Sequence, residues 1–414
     1  MLFAEFLRKI IRHGQLTLID AKGQRYDFGE DGQGSPLVIR LHDTALHWKL
    51  ALNPRLYIGE AYMDGTLTVE DGGGIYDFLE LVGRNGAHQP VNKLDRVLMA
   101  LRYHTRRLSQ SNPVTRARQN VAHHYDLSDT LYQMFLDPRR QYSCAYFARP
   151  DMMLEEAQRA KLSHIATKLC PKPGQKVLDI GCGWGGMALH LAETADVEVT
   201  GITLSTEQLD YARAKAEERG LSGRVRFKLR DYRDEQGTYD RIVSVGMFEH
   251  VGAPNYDTFF RCVRNLLADD GVALLHSIVQ MNPPEPTNPW LVKYIFPGGY
   301  CPAPSEVIAS IERSALWITD METLRLHYAE TLRNWRTAFH AHWDEATALY
   351  DERFCRMWDF YLAGSELGFR QGGHMVVQIQ LARQQDAVPL TRNYMYEEQT
   401  QEPAPESYPP RRVA

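Results

Sequence analysis

Lys176-Val177-Leu178-Asp179-Ile180-Gly181-Cys182-Gly183-Trp184-Gly185-Gly186 is the stretch that decides the fold. A short apolar run with a carboxylate near its end breaks into four glycines, and Met187, Ala188, Leu189, Leu191 and Ala192 then mark the apolar side of a helix. This is the strand–turn–helix opening of a nucleotide-binding α/β domain. Its glycines permit positive φ and bring a ligand against bare main chain. The spacing D-x-G-x-G-x-G-G is not the dinucleotide fingerprint G-x-G-x-x-G. A glycine turn that serves packing alone is the competing reading, and the context on either side counts against it.

Downstream, strands are expected over 197–203, 225–229, 239–245 and 272–279, with helices over 206–219 and 256–267. Such alternation implies a parallel sheet with right-handed crossovers. A helix over 151–170 precedes the turn, with Met153, Ala157, Ala160, Leu162, Ile165 and Leu169 on its apolar side. Residues 280–304 break the pattern with seven prolines among Trp290, Tyr294, Phe296 and Tyr300, and read as an aromatic lid. Helical stretches over 332–349 and 354–363 and a final strand over 375–381 complete a catalytic domain spanning 121–385. The Pro-, Glu-, Gln- and Arg-rich residues 386–414 read as a disordered tail.

Ahead of this lies a smaller α+β domain over 1–92. It has an amphipathic helix within 1–13, a hairpin signal at Lys22-Gly23, and apolar segments at 37–41 and 45–50. Residues 93–120 form a basic linker, with Arg96, Arg102, Arg106 and Arg107 among leucines at helical spacing over 93–109. Two readings stand side by side: an interdomain helix with a solvated charged face, and a helix lying on an anionic bilayer.

With 414 residues, 44% hydrophobic and 24% charged, the chain has the composition of a globular protein of two domains. A net charge of −5 argues against coating nucleic acid. No apolar run approaches the roughly 20 residues of a spanning helix. Six cysteines without a CxxC fit a reducing compartment, and neither a disulfide framework nor a zinc site. The protein reads as cytoplasmic, with no metal.

In open α/β sheets the ligand lies beyond the carboxyl ends of the strands. Those ends carry Asp179, Gly181 and Gly183; then Thr203, Ser205 and Gln208; then Asp231 and Tyr232; then Gly246, Glu249 and His250; and His276, Ser277 and Ile278. Hydroxyls, amides and a carboxylate suit an adenosine, while a glutamate and a histidine on neighbouring strand ends suit a reaction centre. Taken alone, Glu249 reads as a helix-capping group and His276 as a satisfied core histidine. Glu249-His250 lacks the H-E-x-x-H spacing of a zinc protease.

The motifs at 179–186, Gly201-Ile202-Thr203-Leu204-Ser205, Gly246-Met247-Phe248-Glu249-His250-Val251-Gly252, His124-Tyr125-Asp126 and Tyr142-Ser143-Cys144 together resemble those of the cyclopropane-fatty-acyl-phospholipid synthases. The resemblance covers roughly 110–385, and Gly59-Glu60-Ala61-Tyr62-Met63 extends it into the first domain. It implies a class I, Rossmann-like methyltransferase domain that binds S-adenosylmethionine (AdoMet) through Tyr142, Ser143, Asp179, Gly181, Gly183, Thr203, Ser205, Gln208, Asp231, Tyr232 and Gly246. It further implies methyl transfer to a cis double bond of an unsaturated phospholipid, deprotonation assisted by a bound bicarbonate, and ring closure. A relative giving a methylene- or methyl-branched chain is the alternative. Cys144, Glu249, His276, Ile278 and Tyr328 match the bicarbonate holders, Cys144 and Ile278 through backbone groups. Tyr142, Tyr146 and Phe147 are expected to offer π faces to the cationic intermediate. Peripheral contact with the inner face of the membrane, a lipid-associated first domain and a homodimer follow from the same resemblance.

Overall fold

The structure, a computed structural model, describes residues 2–29, 37–86, 101 and 127–396. The basic segment 93–109, apart from Leu101, and the His124-Tyr125-Asp126 motif lie outside the described residues.

The N-terminal part builds a four-stranded sheet from β1 (Leu16–Ile19), β2 (Arg25–Phe28), β3 (Leu37–Leu41) and β4 (Leu67–Glu70), in the order β2-β1-β3-β4. The hairpin at Lys22-Gly23 is present. Asp20 accepts from the main-chain amides of Lys22 and Gln24 at 2.9 Å, and Gly23 takes φ +80°. The apolar segment at 45–50 falls in a helix, Leu46–Leu52. Phe3, Leu7, Leu18, Ile39 and Phe78 close a core that also takes in Ala363 of the long helix Glu352–Arg370.

The larger sheet contains β5 (Lys176–Ile180), β6 (Glu198–Thr203), β7 (Val225–Leu229), β8 (Tyr239–Val245), β9 (Leu267–Gln280), β10 (Trp317–Leu324) and β11 (His374–Ala382), in the order β10-β11-β9-β8-β5-β6-β7. Neighbours from β9 to β7 are parallel, and β11 is antiparallel to both β9 and β10. Val177, Leu178 and Ile180 are buried because β5 is covered on both faces. The winding reverses at β5, which pairs with β6 on one side and β8 on the other. That opens a crevice at the carboxyl ends of the strands.

Strand β10 was not anticipated. It is a half-exposed edge strand carrying Asp320 and Glu322, so its apolar signal is weak. The helix expected over 332–349 is two, His327–Ala341 and Trp343–Leu349. The one expected over 354–363 runs from Glu352 to Arg370, started by Asp351, whose side chain accepts from the Phe354 amide at 2.6 Å. Of the expected tail, the part up to residue 396 is anchored. Arg392–Met395 form a 3-10 turn, Met395 is buried, and the Tyr394 hydroxyl accepts from Gln380 Nε2 at 2.9 Å.

The proline-rich segment 280–304 is packed as a wall rather than a loose flap. Its short helix Pro289–Tyr294 sits against the helix Pro54–Met63. Trp290 is 1% exposed and donates to Met63 Sδ at 3.2 Å, while Glu60 accepts from Lys293 Nζ and the Tyr294 hydroxyl at 2.6 and 2.9 Å. A Cβ on Gly59 would lie 2.5 Å from Trp290 Nε1, so the close approach requires glycine. Burying so large an apolar side chain contributes on the order of 3 kcal/mol, enough to hold the wall in place.

Candidate active site

A cavity occupies the crevice at the carboxyl ends of β5 to β8. Asp179, Gly181 and Gly183 line it after β5, Thr203 and Gln208 after β6, Asp231 and Tyr232 after β7, and Gly246 after β8. Tyr142 and Ser143 close it from the segment before the sheet. Ser205 is not in the wall. Its hydroxyl accepts from the Gln208 amide at 3.2 Å and caps the helix Thr206–Glu218. Asp231 is also partly committed, since Arg233 engages both of its oxygens at 2.7 and 2.6 Å.

The turn glycines serve different ends. Gly181 has φ +80°, and a Cβ there would meet Met247 at 2.6 Å, so it is a packing glycine. Gly183 has φ +53° and nothing within 4 Å of its would-be Cβ, so the bare main chain there faces open cavity. Asp179 is buried, and its Oδ2 has no hydrogen-bond partner among the described residues. Burial raises its carboxyl to about 7 against the opposing pull of Lys161. An orphaned acceptor beside a cavity fits the ammonium or hydroxyl donors of an amino acid or ribose.

Lys161 went unnoticed in the sequence. It comes from the helix Leu154–Leu169, is fully buried, and donates to Gln141 Oε1 at 2.6 Å and Ser143 Oγ at 2.9 Å. It thereby fixes the segment that separates the first cavity from the next. Burial lowers its ammonium to about 8.

A second cavity adjoins the first and shares Tyr142, Ser143, Gly246 and His250 with it. Cys144, Glu249, His276, Ile278 and Tyr328, which come from distant parts of the chain, all line it. Glu249 sits in a 3-10 turn after β8, where its Oε1 accepts from the Ile278 amide at 2.6 Å. Its Oε2 is buried with no partner among the described residues. Burial raises this carboxyl, with the Ile278 amide opposing. The Ile278 amide, expected to hold an anion directly, is here engaged by Glu249. His276 projects from β9 beside Ile278's position two residues on; its Nδ1 meets Gln378 Nε2 at 3.2 Å, and its buried Nε2 has no partner among the described residues. Burial keeps its imidazole far below the usual range, hence neutral. Burial likewise pushes the Cys144 thiol well up, so no thiolate forms there.

Aromatic rings enclose the rest. Tyr142 stacks on Trp335 at 5.1 Å and shares a 2.8 Å hydroxyl contact with Tyr361, and Tyr328 meets Trp335 edge-on. Tyr146 and Phe147, expected beside Tyr142, line neither cavity. Tyr146 is stacked between His164 and His327 at 4.3 and 5.1 Å, and Phe147 lies against His327.

A third, largely apolar cavity continues from the second through Leu291, Tyr361 and Gly364. It runs between the wall segment and the N-terminal part, reaching Phe6, Ile58, Phe78 and Leu79.

Comparison with known proteins places this geometry. The family model described as mycolic acid cyclopropane synthetase matches residues 112–379. The cyclopropane-fatty-acyl-phospholipid synthase of Escherichia coli K12 is 39% identical over 350 residues, covering 84% of this chain and 88% of its own. The cyclopropane synthase MmaA2 from Mycobacterium tuberculosis superposes with a TM-score of 0.62 at 36% identity, over 66% of this chain and 99% of that one. The mycolic acid cyclopropane synthase CmaA1, solved in complex with SAH and CTAB, gives 0.62 at 37% identity with the same coverage. The α/β sheet is therefore that of the AdoMet-dependent methyltransferases, and the chain belongs to the mycolic acid cyclopropane synthetase family.

Proposed function

We propose that this enzyme transfers the methyl group of AdoMet to a cis double bond in a phospholipid acyl chain and closes the product to a cyclopropane, with bicarbonate held between Glu249 and His276. The observation that carries the reading is the junction of two unlike cavities. One is glycine-lined with an orphaned carboxylate oxygen, the other aromatic with two orphaned buried polar atoms, and they meet at Tyr142, Ser143, Gly246 and His250.

An internal alkene has no proton whose removal would activate it, so the protein must supply position and dryness. When bound, AdoMet supplies an electrophilic methyl group and bicarbonate a base. Asp179, Gly183 and Thr203 would hold the donor, and Asp231 and Tyr232 would close the far side of its cavity. Tyr142, in the wall between the cavities, turns a π face to positive charge developing on the acyl chain. Glu249 Oε2 would accept a hydrogen bond from the anion's hydroxyl and take up its proton, and Tyr328 would close the other side. The neutral Cys144 thiol offers no thiolate to trap the cation.

The apolar cavity running to Ile58 and Phe78 supports an acyl chain as substrate, because each methylene kept from water is worth about 0.8 kcal/mol. The phospholipid named for the Escherichia coli relative supports the class of lipid. No helix among the described residues is long and apolar enough to cross a membrane. The arginines of 93–109 support a position at the bilayer surface for the basic linker (93–120) and the N-terminal part (1–92), with the enzyme a peripheral homodimer on the cytoplasmic side.

Incubation with AdoMet, bicarbonate and vesicles of a cis-unsaturated phospholipid tests the reading. Proton NMR of the recovered acyl chains should show the strongly shielded ring protons of a cyclopropane. Vinyl signals would assign the chain to the methylene-forming alternative.

A further inference from the structure

Three side chains stand in a row across the sheet beneath the reaction cavity. In the strand register Glu322 of β10 lies opposite Gln378 of β11, and Gln378 lies opposite His276 of β9. Residues directly opposite on neighbouring strands share a face. Lys168, from the helix Leu154–Leu169, completes the row as a fully buried ammonium. Its Nζ donates to Gln378 Oε1 at 2.8 Å and pairs with Glu322 Oε2, which also meets His164 Nε2 at 2.6 Å.

We infer that Lys168 and Gln378 are positioning residues that fix His276 as the tautomer with its hydrogen on Nε2, so that the reaction cavity is offered an N–H donor. A lysine ammonium has donors and no acceptor, so it must face the oxygen of the Gln378 amide. The amide's NH2 group is then turned to His276 Nδ1, 3.2 Å away. That nitrogen must present its lone pair, and a neutral imidazole has one hydrogen left to place, on Nε2. The imidazole is neutral because burial, with Lys161 and Lys168 adding to it, disfavours its charged form. Burial alone would raise the Glu322 carboxyl, but His164 and Lys168 hold it down at about 2, so it stays ionised; burial lowers the Lys168 ammonium, and the Glu322 carboxylate beside it opposes that.

The consequence is a matched pair inside the cavity, with a donor at His276 Nε2 and the unpartnered Oε2 of Glu249, an acceptor when that carboxyl is ionised. Such a pair selects an anion that carries one hydroxyl, and it bars His276 from serving as the base. This deepens the proposed function and rests on it for the identity of the anion, though not for the tautomer.

The test begins with the full chain labelled with nitrogen-15 in histidine, without lipid or bicarbonate. Two-bond proton–nitrogen correlation spectra, with His276 assigned by its loss in His276→Gln, should show an unprotonated Nδ1 and a protonated Nε2 between about pH 6 and 8. A protonated Nδ1, in either the other tautomer or an imidazolium, overturns the inference. Gln378→Glu places a second acceptor against Nδ1 while leaving Lys168 its partner, so Nδ1 should become protonated; an unchanged His276 spectrum overturns the relay. Gln378→Met should lower kcat by about 10-fold or more, as loss of an orienting partner does at other histidines, with AdoMet affinity unchanged. Full kcat in that variant removes the positioning role. Because the tautomer is read without substrates, a wrong one counts against this inference alone. A correct one in an enzyme indifferent to bicarbonate counts against the anion reading alone.

Discussion

Ile278 donates its main-chain amide to Glu249 Oε1 at 2.6 Å, and the carboxylate is thereby held with its second oxygen buried and unsatisfied at the edge of the reaction cavity. A polar atom left so costs free energy that a ligand with a donor can recover. The side chain is set by the sheet rather than by the loop that carries it, because Ile278 belongs to β9.

Glu249→Gln keeps the Ile278 contact and the shape, but places an amide NH2 or an oxygen without proton affinity where a base is needed. We expect kcat to fall by about 100-fold or more with AdoMet affinity unchanged. Steady-state kinetics across a bicarbonate titration and calorimetry of AdoMet binding check this. Near-normal kcat would remove Glu249 from the proton path.

Asp179 links stability to pH with an unusual sign. Its folded carboxyl titrates at about 7, above the unfolded value near 4, so between these the folded state binds more protons. Its contribution is thus present at low pH and lost as pH rises through that window. In ligand-free protein, Asp179→Asn should flatten the decline in urea midpoint between about pH 5 and 7.5. A cationic ligand at this carboxyl favours its ionised form, so AdoMet binding near pH 6.5 should release protons, seen as buffer-dependent binding enthalpy. Buffer-independent enthalpy would place the ligand's cation elsewhere.

Gly59→Val drives a branched side chain into Trp290, whose Nε1 would lie 2.5 Å from the new Cβ. Overpacking of this kind costs about 1–3 kcal/mol and displaces the wall of the acyl cavity. Turnover should fall while AdoMet affinity holds, because Trp290 lines the third cavity and not the first. A wild-type melting temperature with wild-type turnover would show that this contact does not shape the cavity.

The basic segment carries a prediction from its sequence. Each cation near an anionic surface contributes about 1 kcal/mol, reduced by salt. Replacing Arg96, Arg102, Arg106 and Arg107 with glutamine should sharply reduce co-sedimentation with anionic vesicles and leave AdoMet affinity intact. Unchanged vesicle binding would leave an interdomain helix with a solvated face.

The glycine-lined cavity was legible because its signals are local. The glycines of 181–186 follow a β-branched strand directly, and the alternation after them sets a parallel sheet whose strand ends must converge. Glu249 and His276 were ambiguous for an equally physical reason. Each looks locally like a cap or a core residue, and their shared cavity exists only once β8 and β9 pair. The relay of Lys168, Gln378 and Glu322 left no local trace, since it depends on the register of β9, β11 and β10. Lys161, His164 and Lys168 recur at helical spacing, yet all three are fully buried. No periodicity distinguishes a polar face that meets water from one that meets another polar network. Ser205 shows the opposite effect, a hydroxyl at a strand end that the following helix takes as its cap.

The most direct test of the central claim uses AdoMet deuterated throughout its methyl group, with bicarbonate and cis-unsaturated phospholipid vesicles. Mass spectrometry and proton NMR of the acyl product should find one added carbon in a cyclopropane ring that keeps two of the three deuterons, the third having been removed by the base. A product that retains all three deuterons, or one whose added carbon lies outside a ring, would contradict the account.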